Sequence, residues 1–309
     1  MDDLFAARAE TRLESVAPLA TRMRPRTLDE VVGQPSLLAP GAAFRRVVES
    51  GNPVSMILWG PPGTGKTTLA RLVAHHTAAA FETLSATSAG VKDVREVLAR
   101  ARQRLEMDEQ RTVLFLDEIH RFSKNRQDAL LPGVEDGTFV LVAATTENPF
   151  FEVNSPLISR STLFRLEPLQ PEHLAELIDR AVTDAERGLG ASGLAIDPDA
   201  REALALRTGG DARLTLNTLE LAATLAEGRG SALIEVDAAF IKSLRGSDPD
   251  AAVYWLHLML EGGEDPEFIA RRMVIFASED IGLADNRALE VAVAAAHALS
   301  FVGLPEAAF

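Results

Sequence analysis

Apolar positions along the chain fall into two regimes. Up to about residue 166, short continuous apolar runs alternate with stretches of helical spacing. Met56, Ile57, Leu58 and Trp59 form one run, Val113, Leu114, Phe115 and Leu116 a second, and Phe139 through Ala144 a third. Unbroken runs of this length predict strands buried on both faces, as in a parallel sheet. A shorter strand is expected over 81–84, and helices over 36–50, 68–76 and 91–105. The last of these turns Val94, Val97, Leu98 and Leu105 inward and its arginines outward. Gly51, Asn52 and Pro53 break the chain before the first strand. Beyond Glu167, Pro168, Leu169, Gln170 and Pro171, which predict a hinge, no strand pattern recurs. Amphipathic helices are expected there over 173–187, 199–207, 212–226 and 237–244, then over 250–260, 266–276 and 286–302. The predicted fold class is α/β with a parallel sheet over 19–166, an all-α lid over 167–240 and a further all-α segment over 241–309. Residues 1–18 show no sustained period and are expected to be a mobile arm.

The chemistry concentrates behind the first strand. Gly60, Pro61, Pro62, Gly63, Thr64, Gly65, Lys66 and Thr67 fill the phosphate-loop pattern, and Thr68 continues into a helix. Glycines let backbone N–H groups turn onto phosphate oxygens, and the following helix adds its positive end. Lys66 is expected to reach the terminal phosphates of ATP, and Thr67 to hold Mg2+. The second central run ends in Asp117 and Glu118, where ligands bind in open α/β sheets. Asp117 is assigned to the magnesium through water and Glu118 to polarising the attacking water. The third run ends in Thr145, Thr146, Glu147 and Asn148, with Thr146 chosen as sensor of the γ-phosphate. A basic turn and apolar hook over 19–34 precede the loop, with Val32, Gly33 and Gln34 expected at the nucleotide. Arg160 follows a short helix, too far along to serve its own phosphate loop easily. Arg213 opens a helix where dipole logic prefers acids, so its placement asks for another reason.

Composition narrows the picture. At 309 residues, 47% hydrophobic and 25% charged, the chain is an ordinary globular protein. It has no cysteine, which excludes disulfides, thiolate zinc sites and cysteine nucleophiles, and a reducing cytoplasm fits. His75 and His76 are adjacent, so they do not form a metal pair one helical turn apart. No apolar run is long enough for a membrane helix. A net charge of −14 argues against coating nucleic acid with the whole surface. Local basic patches remain: Arg22, Arg24 and Arg26; Lys92 and Arg95; Arg100, Arg102 and Arg104; Arg121, Lys124 and Arg126. Each competes with the plainer reading of a solvated helix face.

Several stretches carry a resemblance. Arg24, Pro25, Leu28, Asp29, Val32, Gly33 and Gln34 resemble the start of clamp-loader-related AAA+ ATPases. Ser88 to Arg95, Asp117 through His120, Arg121 and Phe122 to Asp128, Val134 to Gly137, Ala144 to Pro149 and Arg245 to Ala252 together resemble the replication-associated recombination protein A family. The resemblance runs from about Leu19 to the end. It implies an oligomeric, nucleoid-associated, DNA-stimulated ATPase acting at stalled forks, gaps and junctions with single-strand DNA-binding protein. On that pattern Arg160 matches a finger acting on a neighbouring subunit, and Arg213 a second sensor. Leu4 and Phe5 are a candidate contact for a sliding clamp. Two departures stand out: the stretch 227–240 is short, and the family continues past the equivalent of Phe309. The chain is therefore expected to be a fragment with an incomplete oligomerisation domain, the full-length family being tetrameric.

Two other readings compete. A P-loop small-molecule kinase requires an acceptor lid and no arginine from a neighbour, and Glu118 argues against it. A clamp-loader-like binding module with little turnover is opposed by intact Lys66, Asp117 and Glu118.

Overall fold

A computed structural model describes residues 17–228, 232–234, 249–261 and 265–303. Leu4 and Phe5, the helix expected over 237–244 and the motif from Arg245 to Asp248 lie outside the described residues. The apolar runs become a parallel sheet of β1 (Met56–Trp59), β2 (Ala80–Ser85), β3 (Thr112–Asp117), β4 (Val140–Thr145) and β5 (Thr162–Arg165), in spatial order β2-β3-β4-β1-β5. Alternate residues divide between two cores. Met56, Leu58, Val113, Phe115, Val142 and Ala144 face one side, packed with Phe44, Val48, Leu69, Val73 and Phe164. Ile57, Leu114, Leu116, Leu141 and Ala143 face the other, packed with Val94, Val97, Ala101, Ile119 and Phe122. Burial on both faces is why these strands lack polar alternation.

Helix α1 (Lys66–His76) leaves the phosphate loop and buries Leu69, Leu72 and Val73. Helix α2 (Val91–Asp108) covers the other face through Val94, Val97 and Ala101. The single helix expected over 36–50 is two pieces, Pro35–Leu38 and Ala43–Glu49. Pro40 has no N–H to continue the ladder and Gly41 takes φ +82°, so the chain turns between them. Strand β5 carries only one fully buried side chain, Phe164, too little pattern to announce it. It exists because β1 offers it an edge, Met56 pairing with Thr162 and Trp59 with Arg165.

Beyond the hinge come α3 (Pro171–Thr183), α4 (Pro198–Arg207), α5 (Ala212–Gly228), α6 (Pro249–Glu261), α7 (Pro266–Phe276) and α8 (Asn286–Val302). The expectation of no further strand is corrected by a small parallel pair, Ala195–Ile196 with Leu233–Ile234. Two residues against two give no readable period, and only long-range pairing creates them. The chain divides into two compact units, residues 1–177 with 205–215, and 178–204 with 216–309. In the second, Arg201 grips Asp179 with two hydrogen bonds of 2.6 Å, and Asp285 caps α8 through Arg287 N–H. Among the described residues no helix is long and apolar enough to cross a membrane.

Candidate nucleotide site

The loop after β1 is shaped by glycines used for different reasons. Gly63 has φ +68°, and a Cβ there would come within 1.8 Å of Asp211 Oδ1. Gly65, at φ +99°, turns the chain into α1. Thr64 Oγ1 donates to Pro61 O at 2.9 Å, closing the loop on itself. Lys66, 8% exposed, donates from Nζ to the carbonyls of Gly60 and Pro61, each at 2.7 Å. Burial pushes its pKa down and Arg213 adds to this, while the Glu118, Asp117 and Asp211 carboxylates oppose it. All four charges therefore act on the same ammonium. Thr67 and Thr68 follow, both partly buried in the first turn of α1.

The hook approaches from the other side. Gly33, at φ +71°, leaves room for Leu169 and His173, whose atoms would lie 2.7 and 3.0 Å from a Cβ. Gln34 is 3% exposed. Its Nε2 donates to Glu167 O at 2.7 Å, and its Oε1 accepts from Glu167 N–H at 3.0 Å. The side chain predicted to meet nucleotide is thus occupied in stapling the hook to the hinge. Val32, beside it, is partly buried. The start of α5 reaches the phosphate loop as well: Ala212 N–H donates to Gly63 O at 3.2 Å, and Asp211 Oδ1 caps the helix at Leu214 N–H. Arg213 is exposed on this first turn. Burial, with Arg71 and Arg213 nearby, pushes the Arg24 pKa down, so three guanidiniums concentrate positive charge in this unit.

At the end of β3, Asp117 and Glu118 are both partly buried, and Glu118 takes φ +56°. A left-handed backbone at a non-glycine residue carries a cost that functional sites tend to retain. Sequence reasoning gave no role to the residue two places on. His120 Nε2 lies 3.1 Å from Glu118 Oε2, and its Nδ1 lies 3.1 Å from Thr145 Oγ1. Thr145, not Thr146, ends β4 fully buried; Thr146 follows it and is partly buried. Among the described residues no cluster of three or more His, Cys, Asp or Glu could hold a metal ion. Thr67 and Asp117 carry hard oxygens of the kind Mg2+ accepts beside water and phosphate.

Arg160 lies outside this arrangement. It is exposed, with Nη2 on Glu135 Oε1 at 2.8 Å and Nη1 on Pro156 O at 3.1 Å. One basic run is corrected: Arg100 and Arg104 both clamp Glu82, at 2.8 and 2.7 Å, and so belong to packing between α2 and β2. Arg126 donates to Ala89 O at 3.2 Å, and Lys124 to Glu152 O at 3.0 Å. Lys92, with its side chain 88% exposed, has a loose pairing with Glu96 at 3.7 Å; Arg95 and Arg121 are exposed.

Residues 56–168 match the family model "ATPase family associated with various cellular activities (AAA)", and residues 246–309 match "MgsA AAA+ ATPase C terminal". An uncharacterised AAA domain-containing protein of Mycobacterium tuberculosis is 51% identical, over 94% of this chain and 69% of its own length. Replication-associated recombination protein A of Escherichia coli is 44% identical, over 94% and 70%; that of Bacillus subtilis is 40% identical, over 94% and 74%. Among solved structures, the RuvB Holliday junction branch migration motor of Thermotoga maritima superposes with a TM-score of 0.60 at 25% identity, covering 84% of this chain and 80% of that one. The chain belongs to the replication-associated recombination protein A family, and it is an AAA+ ATP hydrolase.

Proposed function

We propose that the chain is a DNA-stimulated ATPase acting at stalled replication forks, gaps and recombination intermediates. The observation that carries this reading is the buried Lys66, held on phosphate-loop carbonyls within the field of Asp117, Glu118 and Arg213. This supports a phosphate site with a water-activating end, in a chain whose relatives are named for replication and recombination. The RuvB likeness adds a DNA motor of the same fold.

In this reading the loop from Gly60 to Thr68 cradles ATP, with Lys66 on its terminal phosphates. Thr67, and Asp117 through water, would hold Mg2+, which would neutralise charge on the phosphoryl oxygens. Glu118 orients the attacking water. Thr146 senses the γ-phosphate, Arg213 joins from the start of α5, and Arg160 serves a neighbouring subunit. Val32 and Gly33 bound the adenine end, and Gln34 holds that wall to the hinge. The assembly is a homo-oligomer, a tetramer, cooperating with single-strand DNA-binding protein in the cytoplasm.

The test is ATP turnover with single-stranded, duplex, gapped and forked DNA. Gapped or forked DNA is expected to stimulate most. Replacing Lys92, Arg95 and Arg121 with Ala is expected to lower stimulation while basal turnover persists. The difference should shrink as salt rises, because phosphate contacts release counterions. Turnover indifferent to every DNA would overturn the reading; equal stimulation of parent and variant would remove these three residues from the DNA path.

A further inference from the structure

His120 spans two strands. Its Nε2 lies 3.1 Å from Glu118 Oε2 beyond the end of β3, and its Nδ1 lies 3.1 Å from Thr145 Oγ1 at the end of β4. Its side chain is 14% exposed, against 31% for Glu118, so the link is shielded while the carboxylate stays reachable.

The proton positions follow from the partners. An ionised carboxylate only accepts, so Nε2 carries the hydrogen that goes to Glu118. In the neutral imidazole Nδ1 then accepts, and Thr145 Oγ1–H donates to it. The Thr145 oxygen in turn accepts from Glu147 N–H at 3.0 Å. Its competing acceptor, Glu147 O, is farther away at 3.3 Å. The result is one directed chain, from Glu147 N–H through Thr145 and His120 to Glu118.

We propose that His120 is a positioning residue, which binds Glu118 Oε2 and ties it to Thr145 so that Oε1 remains for the attacking water. This rests on Glu118 being the water-orienting group. The left-handed backbone at Glu118 sets where its side chain starts, and His120 sets where it ends. Because Thr145 closes β4, movement of that strand's end is transmitted to the carboxylate through one ring.

The experiment compares kcat, ATP affinity and thermal melting of His120→Ala, His120→Gln and His120→Asn, alone and in a Glu118→Gln background. The Gln amide nitrogen falls near imidazole Nε2 and the Asn amide near Nδ1. His120→Ala is expected to lower kcat roughly 10- to 10²-fold, the loss typical of a catalytic group left present but misplaced. ATP affinity should hold. His120→Gln should recover most of kcat, and His120→Asn, whose amide reaches the Thr145 side but not Glu118, should resemble His120→Ala in kcat even where its melting temperature matches that of His120→Gln. In the Glu118→Gln background, His120→Ala should cost nothing more, since residues acting as one unit are not additive. If His120→Ala fails to fold, the Gln and Asn variants carry the comparison. Normal kcat in His120→Ala, equal loss in Gln and Asn, or additive losses with Glu118→Gln would overturn the positioning role alone. Normal turnover in Glu118→Gln would overturn the role of Glu118, and that of His120 with it.

Discussion

In the proposed function Glu118 and Lys66 have different parts in one chemical step, so their substitutions should fail in opposite ways. Glu118→Gln keeps the shape of the side chain but removes its charge, so ATP is expected to bind while turnover falls by about 10²-fold or more. Lys66→Ala removes a buried ammonium, which contributes on the order of 1.5–3 kcal/mol through hydrogen bonds to charged groups. Its ATP affinity should therefore drop by roughly 10- to 100-fold. Equilibrium binding of a fluorescent ATP analogue beside steady-state turnover separates the two, and wild-type turnover in Glu118→Gln would remove Glu118 from catalysis. At this scale the sequence is most readable where a local pattern carries the proposed chemistry, as from Gly60 to Thr67 and at Asp117 and Glu118. It is less readable where a partner comes from far along the chain. Gln34 looked like a nucleotide contact, yet its amide is satisfied by Glu167 in both directions. His120 drew notice only through its family resemblance, because its partners Glu118 and Thr145 belong to different strands.

The strand β2 at the edge of the sheet depends on α2 for its hold. Glu82, on β2, accepts from Arg100 Nε and Nη2 at 3.0 and 2.8 Å, and from Arg104 Nη2 at 2.7 Å. The Arg100 hydrogen bonds are the leading cause that holds its carboxyl below the usual range, with Arg104 adding to them. The two arginines are one helical turn apart, so a single carboxylate pins the same face of α2 twice. A depressed folded-state pKa means this stabilisation is present above the unfolded pKa and lost as pH falls through the folded one. Glu82→Gln is thus expected to cost about 1 kcal/mol near neutral pH. The gap to the parent should close in acid below the usual carboxylate range, as read by denaturant unfolding at both conditions. A constant gap across pH would assign the loss to packing instead. Arg100 and Arg104 have nearer acids one turn away, Glu96 and Asp108, so nothing in the sequence signals that a carboxylate on another element would claim both. Glu82 lies 18 and 22 positions away, and only the pairing of sheet and helix brings it in.

At the scale of the whole molecule, the proposed role of Arg160 toward a neighbouring subunit can be tested by mixing. In its own chain it rests on Glu135, an exposed pair worth at most about 1 kcal/mol. A finger that stabilises charge on a transferring phosphoryl group is worth ~10³ to 10⁵ in rate and little in ground-state binding. Arg160→Ala should accordingly bind ATP normally and turn it over poorly. Mixed with Lys66→Ala subunits, which keep Arg160 but lose the proposed phosphate contact, Arg160→Ala subunits should regain activity. Turnover measured across mixing ratios checks this; an assembled mixture that recovers nothing would return Arg160 to a structural role.

The phosphate loop, the acidic pair and the three central strands were legible from the chain alone because each is a contiguous pattern whose physics is local. Burial on both faces makes an unbroken apolar run, and a phosphate cradle needs its glycines at fixed spacing. Helices α7 and α8 were legible for the same reason, each bounded by a capping Asp. Strand β5, the pair Ala195–Ile196 with Leu233–Ile234, the Glu82 clamp and the His120 bridge were not. Each joins positions distant in sequence, and no local preference encodes a partner. They exist because folding brings an edge, a carboxylate or a hydroxyl to a group that would otherwise go unpaired, and such groups are rarely left unpaired when buried.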